Sequence, residues 1–188
     1  SGGLMNSITV DTCVWVRLID GKDEEEIFQL LEHCKKNKIQ IYSSSRVFSF
    51  DTTKMDNEQK SNIRKLMDEY GVVLDQAEFR LNASLLGSVH DETPREGLGS
   101  IHTSLLEDKF IGVFGPDPKT LNPRQTGKNL SNWIGDYDSL KHHYLNHRGL
   151  YVTYDTKIYM AQDMRDKAQN ELDLTIVDPS IAREQLKA

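Results

Sequence analysis

Asp138-Ser-Leu-Lys-His-His-Tyr-Leu-Asn-His-Arg-Gly-Leu-Tyr-Val-Thr-Tyr-Asp155 is the stretch from which the fold can be read. Asp138-Ser139 offers a carboxylate and a hydroxyl where the first backbone N–H groups of a helix need acceptors. Leu140, Tyr144 and Leu145 recur at helical spacing, and Gly149 suits a position just past a helix end. Leu150-Tyr-Val-Thr153 is β-branched and aromatic, which predicts a strand. That strand ends in Tyr154-Asp155, and Ile158, Met160, Ala161 and Met164 open a second helical pattern. Helix, short strand and helix make an α/β unit, and in an open α/β sheet ligands sit beyond the carboxyl ends of the strands. Asp155 is expected at such an end, and Asp138 at the start of the helix before it.

Outward from this unit the same alternation recurs. Ser7-Ile-Thr-Val10 predicts a strand ending at Asp11-Thr12, and Cys13 to Ile19 a short helix. Asp23 to Lys36 predicts a clearer one, with acids in its first turn, lysines in its last and Ile27, Leu30, Leu31 and Cys34 along one face. Ile39-Gln-Ile-Tyr42 is the second strand. Ser43 to Ser45 is expected to cap a helix through Val47, Phe48, Phe50 and Asp51. Asn57 to Tyr70 reads as another amphipathic helix and Gly71 to Leu74 as a third strand. From 75 to 137 the pattern weakens: Ala77 to Leu86 is a candidate helix and Ser88 to Ser100 a polar loop. Ile101 to Phe114 carries an apolar stripe (Ile101, Leu105, Phe110, Ile111). Gly115 to Lys128, with three prolines and Gly127, is expected to be irregular. Leu174 to Val177 predicts the last strand and Pro179 a closing helix. The expected fold is a three-layer α/β/α sandwich around a mostly parallel sheet, with an enlarged insertion before the fourth strand.

The length of 188 residues suits a single domain, here 5–188, with Ser1 to Leu4 reading as a remnant of cloning. A net charge of -6 gives no global signature of polyanion binding, so a nucleic-acid partner needs a local basic surface. The two cysteines, Cys13 and Cys34, fit neither a disulfide framework nor a zinc spacing, which suits a reducing cytoplasm. No run is apolar and long enough to span a membrane, and there is no secretion signal.

Four acids, Asp11, Asp51, Asp138 and Asp155, fall at predicted strand ends or on the helix that follows. Together in one crevice they would repel each other unless a divalent cation held them, and an oxygen-rich, cysteine-free donor set suits Mg²⁺ or Mn²⁺. Such an ion implies metal-assisted attack on a phosphodiester. Each acid also has a plainer reading: Asp138 as a helix cap, Asp11 and Asp155 as turn residues, Asp51 as a solvated helix residue.

Val10-Asp11-Thr12, the Ser45 to Asp51 segment, and Asp138 through Val152-Thr153-Tyr154-Asp155 together resemble the PIN-domain nucleases. The resemblance covers roughly Ser7 to Asp51 and Asp138 to Val177. It implies a parallel α/β/α sandwich whose acids gather at one sheet edge around Mg²⁺ or Mn²⁺. It also implies ribonuclease activity, leaving a 5′-phosphate and a 3′-hydroxyl, in a family that includes toxins of bacterial toxin–antitoxin pairs. By position Asp11, Asp138 and Asp155 would be metal ligands and Asp51 a further catalytic acid, standing where the family usually has Glu. Thr153 would be the hydroxyl beside the site. Asp136 is a rival to Asp138. The implied partners are RNA, an antitoxin protein and a second copy of the chain.

Lys141, His143 and Arg148 are candidate phosphate contacts on the helix before Asp155, and Lys119, Arg124 and Lys128 on the proline-rich loop. His143 and His147 have the spacing for a transition metal, but no third ligand accompanies them. Cys13 is disfavoured as a nucleophile because Asp11 beside it opposes a thiolate. Trp15 and Trp133 read as packing residues. The main alternative is an inactive PIN-like scaffold. A phosphoryl-receiver domain would need paired acids after the first strand and a late lysine, and a haloacid-dehalogenase phosphatase an acid where Cys13 stands.

Overall fold

The computed structural model describes residues 5–48, 55–75, 98–120 and 130–187. Five parallel strands form its sheet: β1 (Ser7–Val10), β2 (Gln40–Ser44), β3 (Val73–Asp75), β4 (Leu150–Val152) and β5 (Thr175–Val177), in the order β3-β2-β1-β4-β5. Val10 pairs with Val152 and Thr9 with both Tyr42 and Tyr151. All three residues of β4 are buried, as expected of a parallel strand covered on both faces.

Seven helices among the described residues cover the sheet: α1 (Thr12–Ile19), α2 (Glu24–Lys36), α3 (Asn57–Glu69), α4 (Leu98–Phe114), α5 (Leu130–Leu145), α6 (Gln162–Leu172) and α7 (Pro179–Lys187). The chain travels outward from β1 to β3, then returns across β1 to β4 and β5. Right-handed crossovers in opposite directions place their helices on opposite faces. One core accordingly packs Val14, Ile27, Leu31, Ile63 and Ala182 on Ile8, Val10, Ile41 and Val152. The other packs Phe110, Tyr137, Leu140 and Ala168 on Tyr151 and Ile176. The expected three-layer α/β/α sandwich is therefore present. Among the described residues no helix is long and apolar enough to cross a membrane.

Several local expectations hold for the reasons given. α2 buries Ile27, Leu30, Leu31 and Cys34. α3 is the expected amphipathic helix, and the structure adds a capping box in which Asp56 and Gln59 satisfy each other's backbone N–H groups. Trp15 is a packing residue whose indole donates to Ser43 Oγ at 3.0 Å, while that hydroxyl donates to Val10 O at 2.8 Å.

Other expectations need correcting. The helix thought to open at Asp138 begins at Leu130, because Trp133, Tyr137, Leu140 and Tyr144 form one apolar stripe against α4. The rings of Tyr137 and Tyr144 lie 5.2 and 5.9 Å from that of Phe110. α4 starts at Leu98, inside the expected loop, and turns Phe110, Val113 and Phe114 inward; Leu105 and Ile111, assigned to its buried stripe, are exposed. Ser45–Phe48 is a 3₁₀ turn, and the rest of the helix expected there lies outside the described residues. Asp51, the candidate helix at Ala77 to Leu86, Arg124 and Lys128 lie outside the described residues. Beyond β4, Ile158–Met160 is a separate 3₁₀ turn, since Ala161 is extended and α6 begins only after it. Past the end of α5 the left-handed residue is His147 rather than Gly149. Gly149 is needed because its backbone donates to Ser7 O at 3.0 Å, and a Cβ there would come within 2.7 Å of that carbonyl.

Candidate active site

The order β3-β2-β1-β4-β5 reverses direction between β1 and β4, so the crevice at the carboxyl ends of these two strands is the topological switch point. Asp11 leaves β1 there, and Thr153 to Asp155 leave β4. The Asp11 backbone donates to Val152 O at 2.9 Å, and Thr153 N to Val177 O at 2.9 Å, which extends the sheet bonding one residue past the strands. Asp11 caps α1, its Oδ1 accepting from Thr12 N at 2.8 Å. Its Oδ2 accepts from the Thr153 hydroxyl at 2.7 Å and from Cys13 Sγ at 3.5 Å. The same Thr153 oxygen accepts from the Asp155 backbone N–H at 3.0 Å. One buried hydroxyl thus joins the two acids that follow adjacent strands.

Asp11 is only 8% exposed, and burial raises its pKa above the ordinary carboxylate value. Hydrogen bonds from Thr153, Thr12 and Cys13 work against that shift, and the charge of Asp155 adds to it. Burial, and then Asp11, push the Cys13 thiol up to about 12, so the thiol stays protonated and is neither a nucleophile nor a soft ligand. Burial likewise raises the Tyr151 phenol, with Asp11 and Asp136 adding to it.

Of the other two acids of the proposed set, Asp51 lies outside the described residues and Asp138 is held by a lysine. Asp138 lies in the middle of α5, and both its oxygens accept from Lys119 Nζ, at 3.1 and 2.9 Å. It borders a cavity of about 80 Å³ with Glu107, Asp117, Lys141 and His142. Asp138 and Asp117 contribute to raising Tyr137, on the α4 side, whereas Asp136 and Asp11 contribute to raising Tyr151 on the sheet. Asp138 thus bears on Tyr137, whereas Asp136 bears on both Tyr151 and Tyr159. Among the described residues no group of three or more His, Cys, Asp and Glu comes together to hold a metal ion.

The candidate phosphate contacts are also engaged inside the fold. Lys119 holds Asp138, and Lys141 pairs with Glu107 at 3.3 Å. Arg148 grips Asp75 through two 2.7 Å bonds, with its guanidinium carbon 3.7 Å from the centre of the Tyr42 ring. It also donates to Thr9 Oγ1 at 3.3 Å. His143 is buried edge-on against Tyr151, its Nδ1 2.8 Å from Thr9 Oγ1. Arg148 can only donate, so Thr9 Oγ1 accepts from it, and the direction of the bond between Thr9 and His143 Nδ1 follows the imidazole tautomer.

Burial, then Arg148, lower the His143 pKa to about 3. The folded value lies below the unfolded one of 6.5, so His143 favours folding fully above pH 6.5 and loses that contribution as pH falls toward 3. Between pH 7 and 4.5 the wild type should lose about 2 to 3 kcal/mol more unfolding free energy than His143→Gln. Urea titrations of both proteins at the two pH values measure that difference; equal losses would show that His143 takes up its proton without cost.

Arg165 is a contributor with no motif to announce it. Its guanidinium donates to Asp155 O at 2.6 Å, Met160 O at 2.7 Å and Ile176 O at 3.5 Å, tying the loop after β4 to α6 and β5.

Two carboxylates at a sheet edge fit a hard divalent ion such as Mg²⁺, which commonly keeps waters and takes one or two protein carboxylates together with substrate phosphate oxygens. Burial raises Asp11, and the groups among the described residues that lower it are hydrogen-bond donors rather than cations; a bound cation would oppose the shift. Comparison of the chain with protein-family models, curated proteins and solved structures finds no match.

Proposed function

We propose that this chain is a metal-dependent nuclease of the PIN-domain kind, hydrolysing RNA at the crevice between β1 and β4. The observation that carries this reading is the junction of Asp11 and Asp155 through Thr153 at the switch point of a parallel sheet. Asp11 and Asp155 would hold Mg²⁺ or Mn²⁺, which when bound supplies Lewis acidity and an activated water for attack on a phosphodiester. Thr153 orients Asp11 Oδ2 and holds the Asp155 backbone. Arg165 fixes the loop that carries Asp155. A third acid would come from α5, where the family resemblance assigns Asp138 with Asp136 as its rival; that resemblance also assigns Asp51. A toxin role, with an antitoxin as partner, follows from the same resemblance.

A scaffold without activity is the second reading, and the Lys119–Asp138 pair favours it by occupying one of the expected ligands. Incubation of mixed-sequence RNA with the protein in Mg²⁺, Mn²⁺ or EDTA separates the two. Cutting with either metal and none in EDTA is the expected result. Intact RNA under every condition, from protein that melts cooperatively, would leave the scaffold.

A further inference from the structure

The loop between β4 and α6 is packed at both ends and exposes its side chains in the middle. At its start the Tyr154 hydroxyl donates to Glu26 Oε2 at 2.6 Å, and Arg17 stacks on the Tyr154 ring at 4.2 Å. At its end Tyr159 is buried with its ring 5.7 Å from Tyr137 and 6.2 Å from Phe114, and Met160 is fully buried. One guanidinium, that of Arg165, binds the carbonyls of Asp155 and Met160 and so draws the ends together. Between them Thr156, Lys157 and Ile158 are exposed.

Ile158 is the anomaly. Its φ is +52°, a left-handed conformation that suits Gly, Asn or Asp and crowds a β-branched side chain. The side chain is 44% exposed, so little packing offsets the strain. Strain of this kind persists where a site uses it. Its neighbour Lys157 enters no ion pair among the described residues, and the Lys157 N–H donates to Asp155 Oδ1 at 3.0 Å. A cation and an outward apolar side chain therefore sit within three residues of Asp155, whose backbone N–H is tied through Thr153 to Asp11.

We infer that Thr156–Ile158 is a substrate-contacting tip for single-stranded RNA, with Lys157 on a phosphate and Ile158 against an unstacked base. The inference rests on the nuclease reading and adds to it the element that grips the strand. Unpaired bases present an apolar face to side chains, and lysine meets the backbone between them. A folded protein partner would need a broader apolar surface than one isoleucine.

Ile158→Asn and Ile158→Gly test this, because both residues tolerate the left-handed backbone. Each should raise the melting temperature while raising KM for a mixed-sequence single-stranded RNA oligonucleotide about tenfold, with kcat within about twofold of wild type. Ile158→Val, which keeps the β-branch and most of the apolar surface, should stay close to wild type in both. Lys157→Ala should raise KM and lower the salt dependence of binding by about one phosphate contact. Higher melting temperatures with an unchanged KM in Ile158→Asn and Ile158→Gly would overturn the tip while leaving the nuclease reading standing. A wild type that neither binds nor cuts the oligonucleotide in Mg²⁺ or Mn²⁺ would remove both.

Discussion

Asp11→Asn protein should melt at a higher temperature than wild type at pH 7 and cut RNA more than about 100-fold more slowly. The two effects come from one carboxylate. Asn caps a helix about as well as Asp, so the bond to Thr12 N survives through the amide oxygen. What disappears is a buried charge whose pKa lies above its ordinary value of 3.8. The native state therefore binds the Asp11 proton more tightly than the unfolded chain does. Below pH 3.8 the group costs nothing, the cost grows as pH rises to the folded value, and above it the cost is complete. Removing the charge should stabilise most at neutral pH, and the difference from wild type should shrink as pH falls toward 3.8. Loss of a residue that merely supports a metal ligand costs roughly 10–100-fold, so loss of a ligand should exceed that range. A readout independent of activity is the thermal shift with Mn²⁺. Wild type should be stabilised by saturating metal because only the folded state holds the site, whereas Asp11→Asn should not respond. An equal Mn²⁺ shift in both proteins would place the metal elsewhere.

Arg148→Met should cost about 3 to 5 kcal/mol of stability, the range for leaving one partner of a buried ion pair without the other. The side chains of Arg148 and Asp75 are 6% and 14% exposed, so the Asp75 carboxylate would lose two charge-assisted bonds with little water to replace them. The stack on Tyr42 and the bond to Thr9 would go as well. For a chain of this size the melting temperature should fall by roughly 6 to 20 °C. KM for RNA, measured below the new melting point, should not change. A phosphate-contacting arginine would give the opposite pattern, with KM raised and stability intact. Asp75→Leu combined with Arg148→Met should recover much of the loss, because a buried pair replaced whole by apolar side chains leaves no orphaned charge.

The acids that the sequence located well are those whose position depends on a strand end. Asp11 follows a β-branched run, and Asp155 follows Leu150-Tyr-Val-Thr153. Once the chain alternates strand and helix, parallel pairing brings the carboxyl ends of neighbouring strands to one edge. Thr153 was legible for the same reason. Asp138 was not, because its direction depends on how α5 is rotated about its axis. Residues two apart on a helix point about 160° apart, so Asp136 and Asp138 leave α5 on nearly opposite sides. The aromatic stripe of Tyr137 and Tyr144 against Phe110 sets the rotation, and Phe110 belongs to a helix far away in sequence. The same holds for His143, a candidate phosphate contact by sequence, which packing on Tyr151 and Thr9 takes inside. Arg165 was invisible because it binds carbonyls, which every residue carries, and no side-chain pattern marks them.

Local order along the chain was enough for the alternating α/β class, the faces of α2, and the placing of Asp11, Thr153 and Asp155 at strand exits. These depend on periodicity, β-branching and capping, which act over a few residues. Tertiary structure alone decided the sheet order that puts β1 beside β4, the pairing of Lys119 with Asp138 and of Arg148 with Asp75, and the raised pKa of Asp11. Each of those depends on which side chains meet across the core and how far water is excluded from them, and separation along the chain carries no record of either.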